Sequence, residues 1–88
     1  MNKIIFNPPA IDEMKAFAQN NPKLVKKIFE LITDIQKHPF DGLGKPEALK
    51  HSYKGYWSRR ITDEHRLIYE VLPGNDIYIL SVHGHYEL

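Results

Sequence analysis

Four side chains in the second half of the sequence could act together on a phosphodiester: Glu47, Arg60, Arg66 and His85. RNA carries its own nucleophile, the 2′-hydroxyl beside each phosphate. Cutting there needs a base to take the 2′-OH proton and an acid to protonate the departing 5′-oxygen. It also needs fixed cations to hold the charge that builds on the phosphorane. A carboxylate, an imidazole and guanidiniums supply all of this without a metal. General acid or base help is typically worth about 10²–10⁴-fold per group. A well-placed donor to the developing charge contributes about 2.7–4 kcal/mol. By residue type alone a plainer reading stands beside this one, with Glu47 as an exposed loop acid and His85 as a surface residue near the chain end.

Other chemistries find less support. The chain has no cysteine, which excludes a disulfide scaffold and a thiolate zinc site and fits a reducing cytoplasm. His83 and His85 alternate on one strand and could chelate a metal, but sequence places no third ligand beside them. No apolar run reaches the roughly 20 residues that span a bilayer. The net charge of +1 conceals a gradient, because all three arginines fall within residues 59–66. With Lys45, Lys50 and Lys54 they make 45–66 the basic segment, whereas 67–88 has no Lys or Arg. Arg suits bidentate phosphate contact, although such an excess is often only a solvated face. Tyr56 and Trp57 in this segment could stack on bases, but Trp57 by type is more often a core residue.

The elements that must position these groups follow from periodicity. At 88 residues the chain is expected to be one domain, 1–88, with a thin core. Lys3 to Phe6 reads as a short buried strand. Asn7 is a helix cap with Pro8 at the first helical position. Ile11, Met14, Phe17 and Ala18 form that helix's apolar face. Asn20-Asn21-Pro22 divides it from a second helix running to about His38. There Leu24, Ile28, Leu31, Ile32 and Ile35 make the stripe, and Pro39 stops it. The charges on both helices read as surface decoration.

After a loop from Phe40 to Glu47 the period becomes two. Tyr56–Ile61, His65–Leu72 and Ile77 to about His85 read as three strands of an antiparallel meander. The fold class is therefore α+β, an N-terminal strand and a helical hairpin packed on an antiparallel β-sheet. A tight turn at 62–64 sets Arg60 opposite Arg66. A four-residue turn at 73–76 would set Leu72 opposite Ile77 and Arg66 opposite His83, with His85 on the same face. A slip or bulge of one residue would reverse the faces.

The stretches Gly42-Leu43-Gly44-Lys45-Pro46-Glu47-Ala48-Leu49-Lys50-His51 and Gly55-Tyr56-Trp57-Ser58-Arg59-Arg60-Ile61-Thr62-Asp63-Glu64-His65-Arg66-Leu67-Ile68-Tyr69, with His85-Tyr86, resemble the YoeB/Txe family. These are toxins of type II toxin–antitoxin systems with the RelE-like microbial ribonuclease fold. The resemblance implies a ribosome-dependent mRNA endonuclease that inhibits translation and needs no cofactor. It implies Glu47 as general base, Arg66 as transition-state stabiliser and His85 as general acid. It implies that Lys50, His51, Arg60 and Tyr86 contact RNA. Its implied partners are mRNA, the ribosome and a YefM/Axe-like antitoxin, with a homodimer left open, in the cytoplasm and without a membrane. Two departures stand out. His83 replaces the usual basic residue, and Glu87-Leu88 extend past the motif. The competing reading is a non-catalytic RNA- or ribosome-binding module, a degenerate toxin acting as a partner or co-repressor.

Overall fold

A computed structural model describes residues 2–84. Strand β1 is Ile4–Phe6, helix α1 Pro8–Asn20 and helix α2 Pro22–Lys37. Strands β2 (Glu47–Ala48), β3 (Tyr56–Arg60), β4 (Arg66–Val71) and β5 (Ile77–Gly84) follow. The sheet order is β1-β5-β4-β3-β2. Strands β2 to β5 pair antiparallel, and β1 joins β5 in parallel, so the sheet is mixed. The helical hairpin begins the long crossover, completed by β2 to β4, that joins β1 to its parallel partner β5. Among the described residues no helix is long and apolar enough to cross a membrane.

The helices cover one face of the sheet. Ile28, Leu31, Ile32 and Ile35 of α2 are buried and meet Leu67, Tyr69, Ile77, Ile79 and Val82. Each such side chain contributes about 1.5–3 kcal/mol when fully buried, so this stripe dominates α2's stability. On α1 the buried positions are Ala10 and Phe17, with Met14 against them. Ile11 and Ala18, expected on that face, are exposed, because the helix turns Ala10 inward instead. Strand β1 is half-exposed rather than buried, since it forms one edge of the sheet.

Several helix charges, expected as surface decoration, hold the fold. The largest case is Asp34, which accepts from Nη1 of Arg59. Arg59 is completely buried and all of its N–H groups are placed. Nη1 also donates to the Leu43 carbonyl, and Nη2 donates to the carbonyls of His38 and Asp41. Nε donates to the Tyr69 hydroxyl, which itself donates to the Pro39 carbonyl at 2.7 Å. Burial pushes the Tyr69 hydroxyl's pKa up, against the partial offset of the Arg59 guanidinium, and so keeps it a donor. Asp34 also accepts from the Leu43 N–H at 3.0 Å. Gly42 lies against the same carboxylate at φ +108°, and a Cβ there would collide with Asp34 Oδ2. Lys27 Nζ donates to the Ile61 carbonyl and ties α2 to the β3–β4 turn.

Burial alone would raise the pKa of Asp34, but the Leu43 N–H and the Arg59 guanidinium outweigh it and hold the carboxyl below its usual range. A lowered folded pKa stabilises the protein fully above the unfolded carboxylate value, about 3.9, and the gain is lost as pH falls through the folded value. Asp34→Asn should therefore cost about 1.5–3 kcal/mol at neutral pH. Urea unfolding from pH 7 downward should show the gap to wild type narrowing only in the acid range. A gap independent of pH would mean that the ionised carboxylate is not the stabilising form.

Candidate active site

The other face of the sheet carries the candidate chemistry, and three strands place it. Arg60 pairs with Arg66 across β3 and β4, as the short turn predicts. The turn closes with Ile61 N–H donating to the His65 carbonyl at 2.9 Å, and Thr62 Oγ1 accepts from the N–H groups of Glu64 and His65. Side chains alternate along a strand, so Tyr56, Ser58 and Arg60 lie opposite to Trp57, Arg59 and Ile61. Trp57 packs against the core and its ring meets Phe40 at 5.0 Å. It is a core residue on the helix side.

Glu47 belongs to the edge of the sheet rather than to a free loop. Segment 44–49 runs beside β3, with Arg60 N–H donating to the Gly44 carbonyl and Leu49 N–H to the Tyr56 carbonyl. Between those two bonds Glu47 pairs directly with Ser58. Paired positions have Cβ atoms about 4.5–5.5 Å apart. Arg66 Nη1 donates to Ser58 Oγ at 3.3 Å. Ser58, fully buried, thus stands between the exposed Glu47 and the half-buried Arg66 on one face. Sequence reasoning passed over Ser58. Its signal was the period of two, which sets it between Tyr56 and Arg60 on the arginine face. Lys50 and His51 follow Glu47 as exposed residues, and His51 begins a single turn, His51–Tyr53, at φ +58°.

Two expectations are corrected. Val71, not Leu72, pairs with Ile77, because the connecting turn holds five residues. Two irregularities in β5 then bring Gly84, not His83, opposite Arg66. The His83 ring goes to the helix side, stacked on His65 at 4.4 Å and beside Phe17 at 5.8 Å. The second correction concerns Arg59, which is buried and bonded as described above and so leaves the basic surface. The remaining cations of that segment are exposed (Lys45, Lys50, Lys54) or half-buried (Arg60, Arg66). His85 and Tyr86 lie outside the described residues. Among the described residues no three His, Cys, Asp or Glu side chains converge as a metal site.

A carboxylate and a guanidinium on one sheet face, with a hydroxyl bonded to the guanidinium between them, can take a proton and hold a phosphate oxygen. Comparison with known proteins places the chain in a family. The family model described as "YoeB-like toxin of bacterial type II toxin-antitoxin system" matches residues 6–86. A Toxin YoeB from Synechocystis sp. is 47% identical over 85 residues, covering 97% of this chain and 98% of that protein. The YoeB–YefM complex from Staphylococcus aureus superposes with a TM-score of 0.87 at 48% identity, covering 98% of this chain and 99% of that chain. The Staphylococcus aureus YoeB dimer gives 0.89 at 48% identity, covering 97% of this chain and 98% of that one. With this fold and these relatives, the chain belongs to the YoeB-like toxins of bacterial type II toxin–antitoxin systems.

Proposed function

We propose that this chain is a ribosome-dependent endoribonuclease that cuts mRNA by metal-independent attack of the substrate's 2′-hydroxyl. The observation that carries the reading is the placement of Glu47 and Arg66 on either side of Ser58, on the sheet face away from the helices, in a YoeB-like chain. Glu47 is the general base. Arg66 holds the non-bridging oxygens as charge builds, and Ser58 keeps its guanidinium aimed. His85 is the general acid and Tyr86 shapes the RNA site. Lys50, His51 and Arg60 hold the RNA backbone. The protein acts in the cytoplasm. A YefM-like antitoxin neutralises it, in keeping with the relative seen in complex with YefM. A homodimer is supported by the relative described as a dimer.

Exchanging Glu47→Gln or His85→Ala should lower turnover by about 10²–10⁴-fold with melting unchanged. Rates near wild type for either, measured by primer extension on mRNA with purified ribosomes, would remove that residue from the mechanism. Wild type that binds ribosomes and leaves mRNA whole would favour the non-catalytic module.

Binding should weaken as salt rises, because cations on phosphates release counterions, with a slope of about 0.7 per phosphate neutralised on a single strand. Removing Lys50 or Arg60 should flatten that slope. A slope unchanged in both variants would place the RNA elsewhere.

The product ends test the mechanism itself. Attack by the 2′-oxygen breaks the bond from phosphorus to the 5′-oxygen. The upstream fragment then ends in a 2′,3′-cyclic phosphate or its 3′-phosphate, and the downstream fragment begins with a 5′-hydroxyl. A metal-activated water would usually leave a 5′-phosphate. A 2′-O-methyl group at the cut site should abolish cleavage, and cleavage that persists there sinks the assignment of Glu47.

A further inference from the structure

The irregular end of β5 is held by side chains of α1 and by the residue that caps it. Between the Tyr69–Ile79 and Arg66–Gly84 pairs, three steps along β4 correspond to five along β5. Unbroken pairing from Tyr69–Ile79 would set Val82 opposite Arg66 and leave His85 three positions further along the chain. The bulges draw β5 back by two residues, about 7 Å at strand rise. Gly84 then meets Arg66, and His85 is the next residue.

Bulged residues lose ladder partners, and here the helix side supplies them. Asn7, expected as a side-chain cap, makes no such bond; its Nδ2 donates to the Leu80 carbonyl at 3.1 Å. Glu13 Oε1 accepts from Ser81 Oγ and from the Val82 N–H, both at 2.9 Å. His83 N–H donates to Ser81 Oγ at 3.1 Å. One turn further along α1, on the same face, the Phe17 ring meets His65 at 5.2 Å and the His83 ring. Helix α1 therefore grips the bulge through backbone and rings together.

We infer that Glu13 is a positioning residue for the cleavage reaction: by accepting from Ser81 and Val82 it fixes the β5 bulge that sets Gly84 opposite Arg66. This rests on the functional reading above. Glu13 bonds to β5 from the helix side and acts through the strand.

The test compares Glu13→Ala, Glu13→Gln and Ser81→Ala. The Gln side chain keeps a carbonyl oxygen that can accept both bonds. Misplacing the strand end should lower kcat for Glu13→Ala by roughly 10- to 100-fold with KM unchanged, and Glu13→Gln should restore it. Hydrogen exchange supplies a readout free of activity: the Val82 and His83 amides should exchange faster in Glu13→Ala, while those of Leu67 and Tyr69 stay protected. Should Glu13→Ala fail to fold, Ser81→Ala removes one of the two Glu13 bonds together with the His83 N–H contact, and should lower kcat in the same sense. A wild-type kcat in folded Glu13→Ala, or loss in Glu13→Gln equal to that in Glu13→Ala, overturns the inference. Wild type with no cleavage at all overturns the functional reading instead, and the exchange measurement still decides whether Glu13 holds the bulge.

Discussion

A guanidinium cannot shed its proton inside a protein, so burying one obliges the surrounding chain to supply an acceptor for every N–H. Arg59 sits on β3, on the sheet's helix side, with no exposure, and the structure meets that obligation with Asp34, Tyr69 and the carbonyls of His38, Asp41 and Leu43. Those acceptors come from the body of α2, the residue that caps its end, the following loop and β4. One side chain therefore holds the loop at three of its carbonyls. Once Leu43 is tied down, Gly44 lies against Arg60 and the chain runs on beside β3 to deliver Glu47 opposite Ser58. The candidate base is placed on one face by a charge buried on the other.

Much of this was legible where information is local. The hairpin of β3 and β4 has a short turn and a strict period of two, so the Arg60–Arg66 pairing could be read directly. The α2 stripe was legible because five apolar residues repeat at helical spacing with a proline stop. Arg59 was not, because a charged residue type argues for solvent. The contrary signal was parity: Trp57 and Ile61 flank it at two-residue intervals on what proves to be the core face. The register of β5 was not legible either. Its bulges are stabilised by Asn7 and Glu13, more than sixty residues away in sequence, and no local pattern near Ser81 announces them.

The adjacent pair Arg59-Arg60 shows how narrowly the two faces are separated. A slip of one residue in β3 would carry Arg60 into the helix side and bring Arg59 out among the cations of the opposite face. Apolar side chains resist such a slip only in proportion to area, and β3 offers few of them. Arg59 resists it by chemistry, since Arg60 in its place would have to reach the same five acceptors from a backbone shifted by one step, and Asp34 would face a strand without its cation. The ion pair is then a device for register as much as for stability. It also explains why a small domain retains a buried charge whose desolvation cost a well-packed apolar residue would avoid. An apolar residue at 59 could fill the space, but the carbonyls of His38, Asp41 and Leu43 would lose their donor, and the loop that leads to Glu47 would keep fewer ties.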